Sequence, residues 1–212
     1  MSGKGQLKIR KVRSDKKTDV KPTVLNALAN TIERLSFITK TPIWSVIEKI
    51  CINGIGQKKV VSYLSQNFRR TVRIENTLYL GDINRVSVKK RMPAGETVRL
   101  STQFKADMIE KLAVLAYALN CSVARACALL LDASLRDGDY INEFVRGYLE
   151  ENIDEERMKE LKKVLKYINT DNPYEEEFSW ASLLSYMIDE VKDSALKIQD
   201  TVTEFIVHHW KE

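Results

Sequence analysis

Residues 97–135, TVRLSTQFKADMIEKLAVLAYALNCSVARACALLLDASL, decide how this chain folds. The period of hydrophobicity changes within them. Val98 and Leu100 alternate with Thr97, Arg99 and Ser101, which predicts a strand with one apolar and one polar, basic face. From 105 to 119 the residues Met108, Ile109, Leu112, Leu115, Ala116 and Leu119 recur at helical spacing. Asn120-Cys121-Ser122 interrupts the run. Ser122 suits the cap of a second helix, which carries Val123, Ala126, Cys127, Leu130 and Leu131 to about Leu135.

Charge is distributed unevenly around this unit. Through Lys105 there are 22 Lys and Arg against 7 Asp and Glu; beyond it there are 12 against 22. The halves therefore carry about +15 and −10, and such asymmetry points to a polyanion partner for the first half. The whole chain, at 212 residues, has room for one large or two small domains. Its 44% hydrophobic and 30% charged residues are ordinary for a globular protein. No apolar run approaches the roughly 20 residues that cross a bilayer, and residues 1–21 lack the apolar centre of a signal peptide. A cytoplasmic protein with no membrane partner is expected. Cys51, Cys121 and Cys127 form no CxxC pair and sit in apolar periodic segments, so reduced, buried thiols are expected.

The amino terminus reads as a flexible basic arm over 1–19. Lys4, Lys8, Arg10, Lys11, Arg13, Lys16 and Lys17 meet only Asp15 and Asp19, with little to bury. Val24, Leu25, Leu28, Ile32 and Leu35 predict a helix over 24–36. Thr41 is placed to cap a second helix with Pro42 in its first turn, carrying Ile43, Val46, Ile47, Ile50 and Cys51. A third helix is expected over 57–67. Period two returns at 71–80, a predicted strand, followed by a turn at Gly81-Asp82 and a second candidate strand over 84–91. Either a small sheet or a pair of hairpins fits this connector. After a loop at 136–139, helices are expected over 140–150, 154–169 and 180–210, the last of these as one helix or two. This end is acidic, amphipathic and rich in aromatic residues.

The layouts of 20–54 and 98–135 are alike. Each runs from an alternating segment through a helix to a capped second helix. Ile32-Glu33-Arg34-Leu35 is echoed by Ile109-Glu110-Lys111-Leu112, which suggests an internal duplication.

Val98-Arg99-Leu100-Ser101, Leu112–Ala116, Asn120-Cys121-Ser122 and the apolar helix that follows resemble the ribbon–helix–helix superfamily of DNA-binding proteins. The resemblance covers 98–135, and 20–54 as well if the first copy counts. Many members have Gly where Asn120 stands. It implies a mainly α fold with short β-strands, ribbon–helix–helix-like units followed by a helical C-terminal region. The expected organisation is an arm (1–19), a first unit with a β-containing connector (20–96), a second unit (97–138) and an acidic helical domain (139–212) for oligomerisation or partner binding. The family pairs two identical chains, whereas here one chain can supply both halves; Pro22, lacking an N–H, would weaken strand pairing in the first copy.

The resemblance implies that the polar strand face enters the major groove of double-stranded DNA. Arg99 can donate two hydrogen bonds to guanine, and the hydroxyls of Thr97 and Ser101 can bond either base type. Lys21 and Thr23 are the matching readers of the first copy. Ser122 and Arg125 would hold a phosphate at a helix start, with Thr41 in the equivalent place. Flanking phosphate contacts are expected from Arg69, Arg70, Arg73, Lys89, Lys90 and Arg91, and from Lys8, Arg10, Lys11, Arg13, Lys16 and Lys17 of the arm. A solvated surface cluster would look the same in sequence. No phosphate-binding glycine loop, nucleophile elbow or HExxH motif appears. The adjacent His208 and His209 and the run Glu175-Glu176-Glu177 read as surface residues, so no cofactor, no metal and no catalysis are expected.

The leading expectation is a sequence-specific double-stranded DNA binder acting as a transcriptional repressor or in plasmid or mobile-element maintenance, through partition, copy control or origin function. It would be associated with the bacterial nucleoid or a plasmid, would form a homo-oligomer, and would meet a protein partner through its acidic end. The competing expectation is a non-enzymatic adaptor or inhibitor whose basic arm binds an acidic protein. RNA binding is disfavoured, since an aromatic stacking platform is lacking and only Tyr79 is well placed for one.

Overall fold

The computed structural model describes residues 16–89, 94–149 and 154–174. Its elements, in chain order, are β1 (Thr18–Val20), β2 (Thr23–Leu25), α1 (Asn26–Ile38), α2 (Ile43–Gly56), α3 (Lys58–Ser65), β3 (Val72–Ile74), β4 (Thr77–Tyr79), β5 (Thr97–Arg99), β6 (Thr102–Phe104), α4 (Ala106–Leu119), α5 (Val123–Leu135), α6 (Gly138–Leu149) and α7 (Glu155–Asn169). The fold is mainly helical, with short antiparallel strand pairs. The basic arm as read from the sequence ends too late, because Thr18 and Asp19 belong to β1. Lys8, Arg10, Lys11, Arg13, Lys90 and Arg91, and the expected helices beyond 174, lie outside the described residues.

Two strand pairs from distant parts of the chain form one ribbon. β1 pairs with β6 and β2 with β5, antiparallel, and both pairs keep a single register: Val20 lies opposite Thr102 and Thr23 opposite Arg99. That register puts Lys21 opposite Ser101 and Pro22 opposite Leu100. Pro22 has no N–H to give, so its rung keeps one bond only, from the Leu100 N–H to the Pro22 carbonyl at 3.0 Å. The ladder extends past β2, where the Asn26 N–H donates to the Glu96 carbonyl at 3.0 Å. Pro22 thus thins the ribbon at its centre without changing its register.

The alternation read at 97–104 sorts the ribbon into two faces. Val20, Val24, Thr102 and Phe104 are buried, with Leu100 partly so; Asp19, Lys21, Thr23, Arg99, Ser101 and Gln103 are exposed. Val98, expected on the apolar face, is 37% exposed near the end of the ribbon. Thr102 is a buried polar exception. Its hydroxyl donates to the Trp44 carbonyl at 2.9 Å and ties the ribbon to the first turn of α2.

The two helix pairs repeat each other at a constant shift in numbering. α1 and α2 start at 26 and 43, α4 and α5 at 106 and 123, so adding 80 to a position in the first pair gives its counterpart in the second. Both connecting turns place one residue in the left-handed region, Lys40 (φ 48°) and Asn120 (φ 53°), and these two are counterparts. Core positions coincide as well: Leu28, Ile32, Leu35, Ile47, Ile50 and Ile55 match Met108, Leu112, Leu115, Cys127, Leu130 and Leu135, all buried. The Ile-Glu-(Arg/Lys)-Leu echo is therefore out of structural phase, since Ile32 corresponds to Leu112 and not to Ile109. Equivalent residues also meet each other. Lys21 faces Ser101 in the ribbon, and a Cβ on Gly54 would come within 1.7 Å of Ser134 Oγ where α2 packs on α5. An approximate twofold axis runs through these two points. The units at 20–96 and 97–138 consequently share one core, each lending the strand the other needs.

The remaining elements wrap this centre. α4 and α5 meet at 94°, and no single helix among the described residues is long and apolar enough to cross a membrane. α3 packs on α2 and α5. The stretch read as one strand over 71–80 is instead a hairpin, β3–β4, because Glu75 adopts φ 51° and turns the chain at Glu75-Asn76. Residues 84–89, read as the start of a second strand, form turns, pinned by the Arg85 guanidinium on the Ser65 carbonyl at 2.6 Å. The loop expected at 136–139 is shorter, since α6 begins at Gly138. α7 begins as read, with Asp154 accepting from the Arg157 N–H at 2.8 Å. α7 lies along α1, where Arg34 meets Glu160 at 2.9 Å, and its Leu161, Val164 and Ile168 join the common core. Cys51 and Cys127 are buried free thiols with their sulfurs 4.0 Å apart; Cys121 is free and half-buried.

Candidate nucleic-acid interface

The exposed ribbon face gathers four of the five base-reading candidates. Thr23 and Arg99 are directly paired, and Lys21 and Ser101 face each other beside them. Thr97, the fifth, is exposed two pairs further out, opposite Leu25. Directly opposed residues such as Thr23 and Arg99 hold their side chains close where the ladder makes no bond. Two residues that the sequence reading passed over complete the face. Asp19 is paired with Gln103, whose Nε2 donates to Asp19 Oδ1 at 2.8 Å. The signal was present, since both lie one further step along the same alternation. The face is an exposed two-stranded surface of short polar side chains with two cations and one carboxylate, a size and shape that a DNA major groove admits.

One end of the ribbon, that of Thr23 and Arg99, adjoins the start of α5. Thr23 and Arg125 line the same shallow cleft of about 90 Å³, with Asp132 and Arg136. Ser122 caps α5 by accepting from the Arg125 N–H at 3.2 Å, which leaves the N–H groups of Val123 and Ala124 at the helix start outside the intrahelical ladder. The connector brings further cations to this corner. The backbone N–H groups of Arg69 and Arg70 donate to the Ala118 carbonyl at 2.8 and 3.2 Å, and the Arg70 guanidinium lies 4.5 Å from the Tyr117 ring centre. Burial holds the Cys121 thiol pKa above its ordinary value, against the downward pull of Arg125 and then Lys89. Arg69, Arg70, Lys89, Ser122 and Arg125 are thus brought together at the α4–α5 turn.

Several of these cations already have structural work. Arg69 donates to the Ile83 carbonyl at 3.0 and 2.6 Å, and Arg70 to the Tyr117 carbonyl at 3.1 Å. Arg73 sits apart on the hairpin, opposite Leu78.

The other end, that of Asp19 and Gln103, adjoins the start of α2. Here the helix is preceded by Pro42 and has no side-chain cap. Thr41, expected to cap it, is buried, with its hydroxyl 3.1 Å from the Thr39 carbonyl oxygen and 3.4 Å from Tyr148 Oη. Pro42 takes the cap position itself with a non-helical ψ of 142°, its φ of −56° being the one its ring fixes. Trp44 stands 46% exposed in the first turn, with the Lys17 ammonium 5.1 Å from its ring centre. Lys17 is also paired with Glu48 at 2.7 Å, while Lys16 is exposed. Trp44 was not anticipated, because a single aromatic residue at a helix start carries no periodic signal.

Comparison with protein-family models, curated proteins and solved structures finds no match to this chain.

Proposed function

We propose that this chain is a sequence-specific double-stranded DNA-binding protein of ribbon–helix–helix type, one chain supplying both strands of the ribbon. The observation that carries the reading is the intrachain ribbon, whose solvent face collects Lys21, Thr23, Arg99 and Ser101 beside two helix starts. Base edges would be read by this face, and phosphates would be held at the starts of α5, where Arg125 stands, and α2. The protein would act without catalysis, as a repressor or a plasmid or mobile-element maintenance factor, and its acidic C-terminal region would serve oligomerisation or a protein partner.

The test is selection from a random duplex library with the full chain and with Arg99→Ala. The expected result is an enriched motif that Arg99→Ala relaxes at one or two positions. Discrimination at those positions should fall about tenfold, in keeping with roughly 1–3 kcal/mol for one bidentate contact. Recovery of unenriched DNA overturns the proposal.

A second reading, a protein-binding adaptor, draws on the exposed Leu78, Leu80, Ile83 and Val86 of the connector. Unenriched DNA from the selection would favour it.

A further inference from the structure

The approximate twofold axis makes a comparison possible that neither half allows alone. Counterparts in the two halves occupy equivalent places on the ribbon, so Arg99 corresponds to Asp19, Gln103 to Thr23 and Ser101 to Lys21. A ribbon built from two identical chains would present the same groups at both ends. Here one end presents a guanidinium and a hydroxyl, the other a carboxylate hydrogen-bonded to an amide at 2.8 Å. The helix starts beside the two ends differ in the same sense. α5 offers a serine cap and Arg125, whereas α2 offers Pro42, an exposed Trp44 and a lysine already paired with Glu48.

We infer that a single chain reads a non-palindromic duplex in one fixed orientation, with guanine under Arg99 and a base amino group, cytosine N4 or adenine N6, under Asp19. The inference rests on the DNA-binding reading above and adds to it the form of the site. Arg99 donates only, and guanine presents two acceptors, O6 and N7, to the major groove. The Asp19 carboxylate accepts only, so the acceptor edge of a guanine repels it and an exocyclic amino group attracts it. Gln103 keeps a second N–H and its carbonyl oxygen while it holds Asp19. Four steps along a strand separate the two ends, about 13 Å at roughly 3.3 Å per residue. That span is roughly four base pairs at about 3.4 Å each. Reversing the duplex would place guanine acceptors against Asp19 and an amino group against Arg99, so both ends would fail together.

The experiment uses the full chain and synthetic duplexes derived from the selected site. Two palindromes are made, each by replacing one half of the site with the inverted copy of the other. The wild type should bind each about tenfold or more weaker than the parent, at one chain per duplex by native mass spectrometry. Asp19→Arg, an exposed change giving both ends a guanidinium, should shift preference to the palindrome built from the Arg99 half. Gln103→Ala should relax base choice only at the end that Arg99→Ala leaves intact. A palindrome bound as tightly as the parent, or by two chains, overturns the inference and leaves the DNA-binding reading standing. A selection that enriches no motif overturns that reading and this inference together.

Discussion

Gly54 and Ser134 show how far one atom decides the packing of this core. Alanine is the better helix former by about 1 kcal/mol, so propensity alone argues for Gly54→Ala. The added Cβ would lie 1.7 Å from Ser134 Oγ and 2.6 Å from Ser134 Cβ, and that hydroxyl is already bonded to the Leu130 carbonyl at 2.6 Å. Overpacking of this kind destabilises by about 1–3 kcal/mol. Gly54→Ala should therefore lower the denaturant midpoint, and adding Ser134→Gly should recover most of the loss. A stabilised single variant would show that α2 and α5 do not meet closely here. Lys40 presents the opposite case. It holds φ 48° with a side chain that disfavours that region, so Lys40→Gly should stabilise by about 1 kcal/mol in the same assay. Asn120, in the equivalent place, tolerates the conformation better. Neither effect is legible in the sequence, because the first depends on a residue in the other half of the chain and the second on a turn geometry that lysine does not signal.

At the level of elements, the sequence disclosed what its periodicities carry. Alternation at 97–101 sorted the ribbon faces, and Ser122 and Asp154 marked true helix starts. It failed where a local rule was outweighed. Alternation resumed in phase at Leu78 after the single polar break at Asn76, and no glycine signalled the turn, so the hairpin read as one strand. Thr41 had a capping side chain, but burial and Thr39 claimed it. The phase of the duplication was lost because apolar helices tolerate any side chains that fill the same volume, and the chance Ile-Glu-(Arg/Lys)-Leu echo falls three positions off. The docking of α7 on α1 left no sequence signal, yet it makes a pH prediction. The Lys163 ammonium, and then Arg34, hold the Glu160 carboxyl below its usual range. A carboxyl depressed in the folded state adds stability above its ordinary pKa and loses it as pH falls through the depressed one. Melting temperature should thus fall as pH drops below about 4, and Glu160→Gln should flatten part of that fall. An unchanged pH profile in the variant would mean that this contact does not hold α7.

For the molecule as a whole, the twofold arrangement ties folding to function. Among the described residues, strands β1 and β2 pair with β6 and β5 and with no strand of their own half. A fragment ending at residue 96 should not fold as a monomer, and circular dichroism with sedimentation should find it unfolded or self-paired. A native-like monomeric fragment would contradict the shared core. Building both halves into one chain also frees them to diverge, which two identical subunits cannot do. The charge asymmetry noticed first in the sequence acquires a place here. Basic residues of the first half are carried by the connector to the helix start of the second, and α7 covers α1 on the other half, with Glu160 meeting Arg34.

The central claim is that the ribbon face meets base edges in the major groove. It is tested most directly by methylation interference on the selected site, comparing the wild type with Arg99→Ala. Methylation of guanine N7 at one end of the site should block the wild type and be without effect on Arg99→Ala. Interference confined to minor-groove adenine N3, or a guanine N7 effect that persists in Arg99→Ala, would contradict it.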